Sequence, residues 1–81
     1  PQGTIASVVM SVVRGTVGEE VVKSIVTGNM IPTNILCERI VDRLCNVVKI
    51  VPTAFEQELH SIVEKKIEEE SSRLLKQMDA R

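Results

Sequence analysis

Apolar residues recur three and four positions apart through most of the 81-residue chain, which is the spacing of an α-helix rather than a strand. The clearest stripe lies between two prolines and consists of Ile35, Leu36, Ile40, Val41, Leu44, Val47 and Val48. The opposite face contains Glu38, Arg39, Asp42 and Arg43. Pro32 suits a first helical position, and Pro52 should end the helix by Val51. The pattern predicts a central helix over 32–50 that the other segments cover.

The N-terminal third of the chain shows the same spacing in two blocks. The first block predicts a helix over 4–14 with the apolar positions Ile5, Val8, Val9, Val12 and Val13. Gly15 should end it, because glycine tolerates the left-handed conformation that commonly closes helices.

A second N-terminal helix is predicted over 17–27. Thr16 and Glu19 have the spacing of a capping box at its start, and Gly28 should end it. The apolar residues that this helix should bury are Val17, Val21, Val22 and Ile25.

The last stretch predicts the longest and most polar helix, over 54–79, with a capping box at Thr53–Glu56. Its apolar positions are Phe55, Leu59, Ile62, Val63, Ile67, Leu74, Leu75 and Met78. At 1.5 Å per residue it reaches about 40 Å against about 28 Å for the central helix, so its end should project from the bundle. Three alternatives follow for that end: an exposed association seam, a bend at Ser71–Ser72 that folds the tail back, or a solvated tail.

These elements predict an all-α fold, a small four-helix domain or bundle with a long C-terminal helix. Residues 1–81 form one domain, and the initial proline suggests a fragment of a larger protein. A core of this size leaves little stability in reserve, which favours oligomerisation.

Composition narrows the classes of partner. Phe55 is the one aromatic residue and the net charge is −1, so neither base stacking nor a basic phosphate-binding patch is expected. No run of about 18 apolar residues occurs that could span a bilayer. Cys37 and Cys45 lie too far apart along one helix to bridge, which favours core thiols in an intracellular, reducing compartment.

The residues that could act in catalysis do not form a recognisable site. His60 is the one histidine, and neither a nucleophile motif nor a glycine-rich phosphate loop accompanies it. Together with Cys37 and Cys45 it would provide only three zinc ligands without a known spacing. The Glu68–Glu70 run is expected to be a solvated face, with pairs such as Glu69–Arg73. We therefore expect no enzyme activity, no cofactor and no metal.

One local resemblance covers residues 18–44. This stretch contains Gly18, then nine residues, Gly28, two more residues and Ile31–Pro32. The spacing resembles that in the paired helices of the nucleoside-monophosphate-binding arm of adenylate kinases. The G-x-x-x-x-G-K phosphate loop of that family is absent, so the resemblance implies at most a catalytically inactive fragment. It would bind a nucleoside monophosphate near Arg14 and Arg39.

A second similarity is to saposin-like lipid-binding domains. From Val21 onward, a short helix, a central helix with Leu44–Cys45, a proline turn and a long helix resemble the order of their elements. Only Cys45 could match one of the six cysteines of that family. This alternative implies an apolar interior that opens around an acyl chain.

The function predicted from the sequence is a non-enzymatic protein-interaction or self-association module, with coiled-coil-like packing of the last helix. A homo-oligomer such as a dimer is the expected assembly, nucleic acid is not an expected partner, and lipid is the less favoured one. The predicted apolar contact residues are Ile62, Ile67, Leu74, Leu75 and Met78. The charged residues expected to set the register are Glu64, Lys65, Glu69 and Arg73.

Overall fold

The computed structural model describes the backbone of residues 2–49 and 53–79 and the side chains of residues 6–49 and 55–78. Within these ranges the regular secondary structure is all α-helix, with α1 at Gln2–Thr27, α2 at Thr33–Val48 and α3 at Thr53–Asp79. The predicted all-α class is confirmed. The predicted number of helices is wrong, since three helices stand in place of four.

The two predicted N-terminal helices form one continuous helix, because Gly15 does not end the first of them. The stripe of Val13, Val17 and Val21 continues across the glycine without a change of register, and all three side chains are buried. Among the described glycines, Gly28 is the one with a positive φ. A glycine inside a helix costs about 1 kcal/mol relative to alanine. Each buried valine contributes about 1.5 kcal/mol or more, so packing outweighs the local signal.

The capping box predicted at Thr16 and Glu19 is also wrong. Thr16 lies in the middle of α1 and is buried, and its hydroxyl oxygen accepts a hydrogen bond of 2.9 Å from Arg43 Nη1. A threonine in this position links two helices instead of starting one.

Backbone geometry defines the ends of the helices. Gly28, at φ 78°, follows the last residue of α1, and its N–H donates to the Ser24 carbonyl at 2.8 Å. Pro32 precedes the first residue of α2, and its carbonyl accepts the Leu36 N–H at 3.1 Å. Lys49 closes α2 in the left-handed conformation, at φ 71°. The predicted stop at Gly28 is thus confirmed, whereas α2 is shorter than the predicted 32–50.

Two predictions at the connection between α2 and α3 fall outside the described residues. They are the helix stop at Pro52 and the capping role of the Thr53 side chain. Beyond the connection, α3 continues without a break through Ser71 and Ser72. The alternative in which the tail folds back at these serines is therefore wrong.

The three helices pack pairwise around one core. α1 and α2 are antiparallel, because Thr16 contacts Arg43 while Glu20, four residues later, contacts Arg39. α1 and α3 are adjacent at their C-terminal ends. The buried apolar core consists of Val13, Val17, Val21, Leu36, Ile40, Leu44, Leu59 and Val63. We call this part the three-helix body.

Candidate interaction surface

An open apolar groove lies between the C-terminal ends of α1 and α3. All of its lining residues come from these two helices: Val22, Ile25, Val26, Leu74, Gln77 and Met78. Val26 is 79% exposed, and Met78 and the neighbouring Leu75 are each 57% exposed. We call the apolar residues of this region the terminal apolar surface, and they are Val22, Ile25, Val26, Leu74, Leu75 and Met78.

The contribution of α1 to this surface differs from the sequence prediction. Val22 and Ile25 were expected to be buried, yet they are 51% and 48% exposed. The buried stripe of α1 runs through Val21, and Val22 lies about 100° further around the helix. Because Val21 and Val22 are adjacent, as are Ile25 and Val26, the apolar pattern alone does not show which residues of these pairs face the core.

The predicted contact residues of α3 divide into two groups. Ile62, Ile67 and Leu74 are half-buried and pack against the core, whereas Leu75 and Met78 remain exposed. The expectation that nothing within the chain covers Leu74 is wrong, because α1 runs beside the end of α3 as one long helix. The exposed part of the predicted set is therefore the pair of Leu75 and Met78.

The charged residues predicted to set the register are mostly engaged within α3. Arg73 binds Glu70 rather than the predicted Glu69, which instead accepts a hydrogen bond from Lys66. That hydrogen bond lowers the pKa of the Glu69 carboxyl. The intrahelical ion-pair distances are 2.7 Å for Glu70–Arg73 and 3.0 Å for Lys66–Glu69, and a hydrogen bond of 2.9 Å joins His60 to Glu64. Lys65, the fourth predicted residue, is exposed.

A shallow depression lies on the adjoining face of α3. Its lining residues are Ile67, Glu68, Glu69, Ser71, Ser72 and Leu75. Four of them, at positions 68, 71, 72 and 75, have the i, i+3, i+4, i+7 spacing that encloses a partner side chain in knobs-into-holes packing. The two serines keep the depression open because their side chains are short.

A polar cluster joins α1 to α2 in the three-helix body. Glu20 is 4% exposed, and its carboxylate binds the Arg39 guanidinium. Arg43 donates to Thr16 and to Glu19, at 2.9 and 3.2 Å. Arg39 and Arg43, on the face opposite the apolar stripe of α2, are both half-buried, and each contacts α1. Arg39, at which the kinase resemblance placed a nucleotide, is thus already paired with a carboxylate.

The thiols occupy different environments, and only one fits the predicted core role. Cys37 is half-buried. The pKa of its thiol is raised mainly by this burial and to a smaller extent by the nearby Glu64 carboxylate. Cys45 is exposed, so its assignment to the core is wrong. His60 is exposed as well, with Nδ1 2.9 Å from Glu64 Oε1.

The described residues provide no cluster of three or more His, Cys, Asp or Glu side chains suited to a metal ion. In the same part of the chain, each helix falls short of the length or apolarity needed to cross a membrane. Comparisons of the chain with protein-family models, curated protein sequences and solved structures gave no match.

Proposed function

We propose that this chain is a non-enzymatic helical module that associates with a second copy or another protein through the terminal apolar surface. The observation behind the proposal is the clustering of exposed Val22, Ile25, Val26 and Met78 around one groove between two helices. Leu75 and Met78, on the α3 side of this surface, are also among the contact residues that the sequence predicts.

Clustering distinguishes these residues from ordinary exposed apolar side chains. Single exposed apolar residues are normal on any protein surface. Val47 is such a case, since it is 55% exposed and lies in α2, away from the groove. By contrast, a contiguous apolar patch contributed by two helices is typical of a protein-binding surface. Its burial removes a larger apolar area from water than the burial of a single side chain does.

The mass of the protein in solution tests this proposal. Light scattering behind size exclusion should show association that grows with concentration between about 10 µM and about 1 mM, the weak range expected for a small interface. Met78→Lys should weaken it, because the charge must then be desolvated when the partner docks.

Val47→Lys is the matched control for Met78→Lys. Both residues are penultimate in their helices and similarly exposed, at 55% and 57%, and lysine suits the C-terminal end of either helix. Association that is equally strong in the wild type and in Met78→Lys would contradict the assigned surface. A monomer at every concentration would contradict self-association, and acyl chains found in the purified protein by mass spectrometry would favour the lipid-binding alternative.

A further inference from the structure

The charges along α3 are arranged so that two antiparallel copies of the helix would have complementary charges. Residues 64–70 include four acidic and two basic side chains, for a net charge of −2, whereas residues 71–79, the rest of α3, include Arg73, Lys76 and Asp79, for a net charge of +1. Two copies of α3 side by side and antiparallel place the acidic stretch of each against the basic stretch of the other. A parallel pair in register places like charges together, which is unfavourable.

Three of these charged residues, Lys65, Glu68 and Lys76, lack an ion pair within the described part of the chain. Glu68 and Lys76 are exposed, whereas the neighbouring Glu69 and Glu70 are paired with Lys66 and Arg73. Glu68 and Lys76 lie at equal distances of four residues on either side of Ser72. A two-fold axis near Ser72 therefore brings each Glu68 opposite a Lys76.

The shape of this face agrees with the same arrangement. Leu75, with 57% of its surface exposed, forms one wall of the depression that also includes Ser71 and Ser72. In a two-fold interface a residue and its contact occur twice, so each Leu75 can enter the depression of the other copy. Short serine side chains at the crossing point also permit a close approach of the helix axes.

We propose that the partner at this face is a second copy of the chain, docked antiparallel along residues 68–76 of α3. In this dimer, Lys76 of each copy lies opposite Glu68 of the other, and Leu75 fills the depression of the other copy. The inference rests on the proposed function for self-association and specifies its geometry, in which Leu75 is the residue that the contact shares with the terminal apolar surface. Because one pair of helix segments provides the contact, the buried area is at the low end for protein interfaces and the dimer is weak.

A charge swap tests the pairing of Glu68 with Lys76. Sedimentation equilibrium at about 50 mM salt, where the Debye length exceeds 10 Å, measures the dimer dissociation constant of each variant. Glu68→Lys alone and Lys76→Glu alone each create two like-charge contacts per dimer, and each should weaken the dimer about tenfold. The double variant restores opposite charges and should return the dissociation constant to within about threefold of the wild type.

Glu58→Lys combined with Lys76→Glu is the matched control for the swap. It has the same net charge as the swapped protein, but Glu58 is exposed about three turns of α3 before Glu68. It should stay as weak as Lys76→Glu alone. Recovery in this control, or single variants that bind like the wild type, would overturn the proposed pairing, and circular dichroism should show unchanged helix content throughout.

Cross-linking tests the antiparallel orientation. In a Cys45→Ser background, Ser72→Cys should form a disulfide-linked dimer under mild oxidation, because position 72 meets itself at the axis. Ser61→Cys should not, because its two copies lie roughly 30 Å apart along antiparallel helices. Cross-linking at both positions would overturn the orientation.

The outcomes separate this inference from the proposed function. A dimer that Met78→Lys weakens but the charge variants do not affect would overturn the antiparallel α3 contact and leave the terminal apolar surface as the association site. A wild-type protein that remains monomeric up to about 1 mM would overturn the dimer itself.

Discussion

The three-helix body and the terminal apolar surface are built from the same residue types but differ in how many helices enclose them. In the body, α2 completes the enclosure, and Val13, Leu36 and Leu59 are at most 1% exposed. At the C-terminal ends of α1 and α3, only two helices form the groove, and its apolar side chains other than Leu74 are about half-exposed or more. The presence of a third helix thus distinguishes the buried core from the exposed surface. The spacing of apolar residues along one helix does not show whether a third helix covers them.

The largest expected effect is on the free energy of unfolding, when a leucine of α3 is replaced by alanine in the three-helix body and, for comparison, in the terminal apolar surface. Leu59→Ala should lower the free energy of unfolding by about 3 kcal/mol, because it leaves a cavity in the enclosed core. Leu75→Ala should lower it by less than about 0.5 kcal/mol, since most of that side chain is already in water. Chemical denaturation at low protein concentration measures both values without a contribution from association. Equal losses would contradict the division into body and surface.

The polar cluster should produce the next largest effect. Glu20→Ala removes a buried acceptor from Arg39 and should destabilise the fold by about 1–2 kcal/mol, discounted because the Arg39 side chain is 39% exposed and regains water. Glu19→Ala, at a side chain that is 55% exposed, should change stability by less than about 0.5 kcal/mol. Neither variant should alter association, because both residues lie outside the terminal apolar surface. A Glu20→Ala protein as stable as the Glu19→Ala control would contradict a stabilising role for the buried pair.

Sequence reasoning succeeded where one local pattern sufficed. The all-α class, the α2 stripe of Leu36, Ile40 and Leu44, and the stop at Gly28 all follow from spacing or from backbone chemistry. It failed where tertiary packing decided between local signals. Gly15 resembles a stop, but the valine stripe across it is buried, and burial outweighs the preference of one glycine.

The candidate surface was predictable only in part, for the same reason. Leu75 and Met78 could be identified because the last helix is too long for the central one to cover. Val22 and Val26 could not, because their exposure depends on which face of α1 turns toward α3. The contact between Glu20 and Arg39 was missed although Thr16 and Glu20 on α1 match the four-residue spacing of Arg39 and Arg43 on α2.

The end of α2 should provide a smaller effect of opposite sign. Lys49 has φ 71°, a conformation that costs a residue with a Cβ about 1 kcal/mol and costs glycine little. Lys49→Gly should therefore raise the free energy of unfolding by about 0.5–1 kcal/mol. Lys49→Ala keeps the strain and should show no such gain in the same denaturation experiment. Because the change strengthens only the three-helix body, a change in the dimer dissociation constant would indicate that the two regions are coupled.

The smallest expected effect is the response of the body to alkaline pH through Cys37. Burial and the Glu64 carboxylate raise the pKa of this thiol above the ordinary 9.0, so at pH 9–10 the unfolded chain loses the proton more readily than the folded chain. The thiol's contribution to stability is therefore complete below pH 9 and declines as the pH rises through the folded-state value. In a Cys45→Ser background, alkylation of Cys37 by iodoacetamide should be slow at pH 8. The pH at which its rate rises should be higher than for a free thiol. Glu64→Gln should accelerate alkylation modestly and Glu68→Gln should not, whereas equal rates in all three proteins would exclude the Glu64 carboxylate and leave burial as the sole cause.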